Sequence, residues 1–329
     1  MILVVGGAGY IGSHMCKVLR DQRLNHIVLD NFSSGHRQAI AGSDVIEGDL
    51  RSRADLDRAF SAHEIDLVMH FGAFISVGES VRDPAKYFDN NTCGVLTLLD
   101  SMRAHRVGQF VFSSTAAVFG EPHYVPIDED HPKAPTSPYG ESKLMVERIL
   151  AAYDRAYGLR SVCLRYFNAA GADPSGAMGE DHAPEEHLIP VAIQAALGQR
   201  PALKVFGSDY DTPDGTCVRD YVHILDLASA HLLAAEHLRS GGESRQYNLG
   251  NGQGFSVRQV LDTVQRVSGR TVPHEEAERR PGDPARLIAS ADRVRRDWGW
   301  SPEYPALETI VEHAWRWHAG HPNGYADPR

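Results

Sequence analysis

The chain has 329 residues, 42% hydrophobic and 23% charged, with a formal net charge of −10. That is the composition of a folded globular protein with one large domain or two ordinary ones. An acidic balance with no long basic run argues against a nucleic-acid or anionic-membrane surface as the main partner, but not against a small anionic ligand in a locally positive pocket.

In chain order, Ile2–Val5 reads as a buried strand, Tyr10–Asp21 as a helix, His26–Asp30 and Asp44–Glu47 as strands, and Arg53–Ala62 as a helix. A further apolar run covers Asp66–Phe71, and Pro84 opens a helical stretch that continues to about Arg106. Gln109–Ser113 is strand-like, Pro138–Tyr157 helical and Ser161–Tyr166 again a strand. Strands alternating with helices, Val/Ile/Leu-rich and without polar alternation, predict a doubly wound parallel sheet of Rossmann type. After Phe167 the pattern loosens into "GADPSGAMGEDHAPEEH", with helices at Leu188–Leu197, Ser256–Ser268 and Leu307–His318, a short strand at Lys204–Phe206 and a turn-rich "GSDYDTPDGT". Residues 1–168 are expected to bind a cofactor. Residues 169–329 are expected to form a smaller mixed α/β substrate lobe, with some segments returning to the first domain.

No apolar run approaches the ~20 residues of a membrane span. The start, "MILVVGGAGYIG", has no basic segment and does not read as a signal peptide. Cys16, Cys93, Cys163 and Cys217 lie far apart in mostly apolar settings and read as buried, reduced thiols. A cytoplasmic enzyme fits best.

Two motifs carry chemistry. "GGAGYIG" follows the first strand and opens the first helix, with Gly7, Gly9 and Gly12 in G-x-G-x-x-G spacing behind an extra Gly6. Such glycines let backbone N–H groups approach a pyrophosphate at a helix N-terminus. Asp30 ends the second strand, where a carboxylate can accept hydrogen bonds from a ribose diol and repel a 2′-phosphate, so NAD is favoured over NADP. Asp49 and Leu50, after the next strand, are placed to flank the adenine, although Asp49 could equally be a helix N-cap. In "SPYGESK", Tyr139 and Lys143 stand four apart and so share a helix face. A cation held near a phenol favours the phenolate, making the pair a candidate proton-transfer device.

Together with "HFGAFISVGES", "YFDNNTCG", "SSTAAVFG", "LRYFNAAGADP", "DGTCVRDYVH" and "YNLGNG", these motifs resemble the extended short-chain dehydrogenase/reductase family, in its UDP-galactose 4-epimerase branch. The resemblance runs over essentially the whole chain. It implies C4 oxidation of a UDP-sugar, rotation of the 4-keto sugar and re-reduction, with NAD retained. It assigns Tyr139, Lys143 and Thr115 to catalysis, although Thr115 could be only a strand-end cap. The cofactor would meet Gly6, Gly7, Gly9, Tyr10, Ile11, Gly12, Asp30, Asn31, Ser33, Ser34, Gly35, Asp49, Leu50, Phe71, Gly72, Ala73, Ile75, Asn90, Ser113 and Phe167, besides Tyr139 and Lys143. For the UDP-sugar it implies Thr115, Asn168, His187, Leu188, Lys204, Val205, Phe206, Tyr221, Asp283 and Leu287, with Arg219 and Arg280 as diphosphate cations.

Ile75 stands where many bacterial relatives of this branch carry a cofactor-contacting lysine, which predicts looser NAD. Leu287 occupies a position said to gate the sugar's C2 substituent. A leucine, smaller than tyrosine, implies some tolerance of N-acetyl sugars, and pentose or uronic-acid UDP-sugars stay open. A 4,6-dehydratase or decarboxylase is the nearest rival, but dehydratases carry a carboxylate pair after the catalytic threonine, and here Ala116 and Ala117 follow. A silent NAD-binding regulator would not need Tyr139, Lys143 and Thr115 together. The 17 histidines show no zinc spacing, and "EEH" at Glu185–His187 is not read as a metal site. The helices around Pro84–Arg106 and Glu141–Tyr157 match those that dimerise in relatives, so a homodimer is implied.

Overall fold

The computed structural model describes residues 1–280 and 282–326, which leaves 327–329, the end of the expected substrate lobe, outside the described residues. The first part runs β1 (Ile2–Val5), α1 (Tyr10–Asp21), β2 (His26–Asp30), β3 (Asp44–Glu47), α2 (Arg53–Ala62), β4 (Leu67–His70), α3 (Val77–Arg82), α4 (Pro84–Phe88), α5 (Gly94–Ala104), β5 (Gln109–Thr115), α6 (Pro138–Tyr157) and β6 (Arg160–Tyr166). Then come β7 (Asn168–Ala170), α7 (Leu188–Ala196), β8 (Leu203–Phe206), β9 (Val218–Arg219), β10 (Tyr221–His223), α8 (Ile224–Arg239) and β11 (Arg245–Leu249). The chain continues through β12 (Phe255–Ser256), α9 (Val257–Ser268), β13 (His274–Ala277), β14 (Arg286–Leu287), α10 (Asp292–Trp298) and α11 (Leu307–Gly320).

Among the described residues the main sheet has seven strands in the order β11-β6-β5-β4-β1-β2-β3, all parallel. One face buries Val4, Met15, Leu164 and Leu227 under α1 and α8, and the other buries Leu3, Leu56, Leu98 and Val146 under α2, α5 and α6. Both faces being covered is why the strands lack polar alternation. The order reverses between β1 and β4, so a crevice opens at the strands' carboxyl ends. A separate core around Ile193, Val260 and Ile310 holds α7, α9 and α11 beside that edge.

Local chemistry sets the boundaries of α6, the helix that carries Tyr139. The Ser137 hydroxyl accepts from Gly140 N, Pro138 takes the first turn, and Gly158 ends the helix at φ 69°.

Several features go beyond the sequence reading. The expected helix from Pro84 to Arg106 is interrupted by a π-helical turn over Asp89–Cys93. That turn buries the consecutive side chains of Asn90, Asn91 and Thr92, which a regular helix would spread over about 200°. Helix α8 went unread because it is apolar on most sides: beside the buried Ile224, Leu227, Ala230, Ala234 and Leu238, the partly buried Leu225, Leu232 and Leu233 cover much of the other face. Strand β11 lies far along the chain yet joins the first sheet beside β6, with Tyr247 opposite Leu164. All four cysteines are free, as expected, but Cys93 is exposed rather than buried.

Candidate active site

The glycine turn is tight because backbone meets backbone there. A Cβ on Gly6 would lie 2.3 Å from Gly72 N, and one on Gly12 would lie 2.3 Å from Gly6 O. Above Gly9 the space is open, with nothing nearer than 3.6 Å to an added Cβ. Helix α1 starts there with no side-chain cap and no acidic residue in its first turn. Its first N–H groups, including those of Tyr10 and Ile11, are therefore free to meet an anion. Asp30 is buried, and its two carboxylate oxygens accept from Ala8 N and Phe32 N, both at 2.8 Å. Burial pushes its pKa up, while those two N–H groups pull it back. The donor set, the open cradle and the acidic strand end fit a dinucleotide.

The rim follows from the next loops. Asn31, Ser33 and Ser34 are exposed, and Gly35 packs so closely on Ala8 that a Cβ would sit 2.7 Å from the alanine's own. Asp49 does not cap α2. Ser52 does, and Asp49 instead accepts from Asn31 Nδ2 at 3.0 Å and from Arg51, whose guanidinium holds the carboxyl well below its usual range. Leu50 is buried beside Gly94. After β4, Phe71, Gly72 and Ala73 pass under the cradle, and Ile75 is 44% exposed at its edge.

The π-helical turn matters at this point. Asn91 Oδ1 accepts from Phe74 N at 3.0 Å, and its Nδ2 donates to Phe74 O at 2.9 Å, so one side chain pins the loop that carries Phe71–Ile75. Asn90 donates to Asn91 and, weakly, to Gly72 O. Sequence reading named Asn90 and missed Asn91; no local pattern distinguishes the two.

Strand β5 ends in Ser113, Ser114 and Thr115, all buried. The Thr115 hydroxyl accepts from Ala117 N at 3.1 Å, as a cap would, and it also contacts the Tyr139 phenol. Lys143 Nζ donates to Ser113 O at 2.9 Å. Thus α6 brings Tyr139 and Lys143 to the same strand end as Thr115. Tyr166, which sequence reading did not select, contacts Ser113, and burial lifts its phenol pKa well above the ordinary value. Behind it His231, on the unread helix α8, donates or accepts at Ser113 Oγ (3.3 Å), and burial lowers its pKa to about 4, so it stays neutral.

Burial raises the Tyr139 pKa, with only the Thr115 hydroxyl opposing. Burial also pushes the Lys143 ammonium down to about 7. Burial thus works against the charged form of both groups. A pH test follows. Between about pH 7 and the ordinary 10.5, the unfolded chain holds a proton on Lys143 that the folded chain releases. Stability must then rise with pH across that window. Thermal unfolding of NAD-free protein at pH 7 and pH 9 should show a gain in Tm that Lys143→Met lacks; equal slopes would contradict it.

The substrate side is assembled by short strands. In register, β14 lies beside β9, placing Leu287 against Arg219, and β10 lies beside β7, placing Tyr221 against Asn168. Leu287 and Phe167 pack on the cluster of Ala116, Phe119 and Leu144, next to Thr115. Arg219 is paired with Asp283, and Arg280 stacks 3.8 Å over the Phe206 ring. Lys204 is exposed, whereas Val205 points into the core, so only its main chain can meet a ligand. Tyr221 is likewise buried, packed in the second core with Ala170 and Ile189. Leu188 begins α7, and His187 just before it turns Nδ1 towards Glu180, at 2.6 Å. The structure thus gathers Arg219, Asp283, Leu287, Phe167 and Asn168 near the end of β5, and takes the side chains of Val205 and Tyr221 away from an open lining.

Comparison with known proteins agrees with this geometry. Residues 2–250 match the family model for the NAD dependent epimerase/dehydratase family. A UDP-glucose 4-epimerase of Halalkalibacterium halodurans is 54% identical over 325 residues, covering 99% of this chain and 97% of that protein. A crystal structure of a UDP-glucose 4-epimerase superposes with a TM-score of 0.97 at 50% identity, covering 99% of both chains. The Brucella ovis UDP-glucose 4-epimerase in complex with NAD gives 0.94 at 47% identity, covering 95% of this chain and 97% of that one. With a glycine cradle ending in Asp30 and Tyr139, Lys143 and Thr115 gathered at one strand end, the chain belongs to the NAD dependent epimerase/dehydratase family.

Proposed function

We propose that the protein interconverts UDP-galactose and UDP-glucose by oxidation and re-reduction at C4 of the sugar. The observation that carries this reading is the meeting of Tyr139, Lys143 and Thr115 beside the dinucleotide cradle, in a chain about half identical to UDP-glucose 4-epimerases. NAD, held by the cradle from Gly6 to Gly12, by Asp30 and by Lys143, would supply the hydride acceptor and donor.

The residues do the rest. Tyr139 takes the proton from the sugar 4-hydroxyl and returns it to the same oxygen once the sugar has turned its other face to the cofactor, and Thr115 fixes the 4-oxygen. Lys143 orients the cofactor ribose and lends positive charge to the phenolate. Arg219, released from Asp283, and Arg280 grip the diphosphate, about which the oxidised sugar turns. Phe167 and Leu287 form the apolar wall against the sugar and keep water from it. Ala116 and Ala117, directly after Thr115, leave no carboxylate pair for eliminating water, which disfavours a dehydratase.

The cofactor part comprises residues 1–168 with α8 and β11 returning to it, and the rest of 169–329 holds the nucleotide sugar. Unpaired cysteines, one of them exposed, suit a reducing cytoplasm, and among the described residues no helix is long and apolar enough to cross a membrane. Helices α4, α5 and α6 are proposed to pair two copies, which light scattering on the purified chain would check.

The decisive assay gives the purified protein UDP-galactose, UDP-N-acetylgalactosamine, UDP-xylose and UDP-galacturonate, each with and without added NAD. UDP-glucose formed from UDP-galactose without net NADH supports the reading. No conversion of any, by folded protein with NAD bound, overturns it. Two side chains tune the outcome. Ile75→Lys is expected to tighten NAD about tenfold by adding one charge-assisted contact, read by equilibrium dialysis. Leu287→Tyr is expected to cut turnover of the N-acetyl sugar at least tenfold while sparing UDP-galactose, read in the same product assay; equal losses on both would argue against a C2 gate.

A further inference from the structure

The loop "GEDHAPEEH", Gly179 to His187, connects the cofactor floor to α7. Glu180 and Glu185 turn inwards, His182 is half-buried beside them, and His187 closes the group from the surface side. Ligand-type atoms of Glu180, His182, Glu185 and His187 all lie within 4.8 Å of one another. We propose that these four residues bind one divalent transition-metal ion, of which zinc fits best, as a structural clasp on this loop.

Three observations lead there. First, both carboxylates are deeply buried: the Glu180 and Glu185 side chains are 3% and 2% exposed. Two carboxylates buried side by side need positive charge close by, and two imidazoles are the only side chains within the cluster that can carry it. A divalent cation neutralises both at once. Second, the contacts are close but poorly aligned as hydrogen bonds. Glu180 Oε1 lies 2.6 Å from His187 Nδ1 and 3.1 Å from His182 Nδ1, yet neither it nor His182 Nδ1 has a hydrogen-bond partner despite burial. Ring nitrogens and a carboxylate oxygen that approach off the hydrogen-bonding axis are arranged as ligands facing a common point. Tetrahedral coordination at about 2.0–2.2 Å puts neighbouring ligand atoms about 3.4 Å apart, so the pairs at 2.6 and 3.1 Å need to spread slightly and the wider ones, up to 4.8 Å, to close.

Third, the ligands are oriented from outside. Glu185 Oε1 accepts from the N–H groups of Glu186 and His187, both at 2.9 Å, which leaves Oε2 facing the cluster. Trp317 Nε1 donates to Glu180 O at 3.0 Å, and Arg200 Nη2 to Glu185 O at 2.8 Å. Such outer contacts hold metal ligands in place. Two imidazoles with two carboxylates make a nitrogen-and-oxygen set of zinc type, and four protein ligands close the site, which marks a structural rather than a catalytic ion.

Position gives the clasp its effect. The His182 ring meets Tyr10 edge-on at 6.3 Å, and Tyr10 opens α1 at the glycine cradle. His187 directly precedes Leu188, the start of α7. An ion here would tie the nucleotide-sugar side of the loop to the cofactor floor. The proposal does not depend on the reaction assigned above.

The test uses untagged full-length protein, stripped with a chelator and titrated with Zn2+ or Co2+. One equivalent of Zn2+ per chain should bind, with a dissociation constant below micromolar and a rise in Tm. The Co2+ form should show the intense visible bands of a tetrahedral site. His182→Ala and Glu185→Gln should each weaken Zn2+ at least tenfold, with circular dichroism confirming the fold. Should either variant fail to fold, the Co2+ spectrum of the unaltered chain still decides. Absence of stoichiometric uptake, a weak octahedral spectrum, or uptake unchanged in folded variants overturns the site.

Discussion

Tyr139→Phe is expected to lower kcat on UDP-galactose by about a thousandfold, within the 10²–10⁴ range typical of a lost general acid–base group. KM should move little, because only the hydroxyl is removed. The ring stays packed edge-on against Tyr87, with centroids 6.5 Å apart, so the fold has no reason to change. The phenol's pKa is raised by burial in the ligand-free site. Steady-state kinetics with circular dichroism on the same sample would measure this. A loss below tenfold in a folded variant would place proton transfer elsewhere, with Thr115 the next group in reach.

Arg165→Met is expected to cost about 3–5 kcal/mol of stability, or a fall in Tm of roughly 5–10 °C for a chain of this size. Glu147, on the catalytic helix α6, accepts from Arg165 Nε at 2.9 Å and Nη2 at 2.6 Å, and from Ser114 Oγ at 2.6 Å. Both charged side chains are at most 5% exposed. Removing the guanidinium leaves a buried carboxylate with a single hydroxyl donor. The same contacts join α6 to β5 and β6 within one residue of Thr115, so activity should fall as well. The companion variant Arg165→Met with Glu147→Leu should recover most of the lost stability, because a well-packed apolar pair replaces an ion pair at little cost. Thermal unfolding of all three proteins would measure both terms. A single-variant loss under ~1 kcal/mol would mean that Glu147 is solvated or protonated once its partner is gone.

The particular elements show what each level of description could decide. The strands from Ile2 to Tyr166 were legible because burial on both faces leaves an uninterrupted apolar run, a property of each strand by itself. The glycine cradle was legible because Gly12 must clear the Gly6 carbonyl within one turn, and Asp30 ends the very next strand, which pairs with β1. Tyr139 and Lys143 share a helix face by spacing alone. Ser137, Pro138 and Gly158 mark the ends of that helix equally locally.

Other features depend on partners distant in sequence. Strand β11 joins the first sheet because Tyr247 pairs with Leu164, and α8 is apolar on most sides because it lies between that sheet and later segments. Asn91 differs from Asn90 only in facing Phe74, which the π-helical turn arranges. Leu287 meets Arg219 through a two-strand register that no local pattern announces. Spacing fixes the proximity of Tyr139 and Lys143, but only packing sets how much water remains to solvate their charges. The sequence by itself therefore determined the local elements and the kinds of chemistry available. The tertiary structure alone decided which distant residues meet, how dry that meeting place is, and so which charges it can hold.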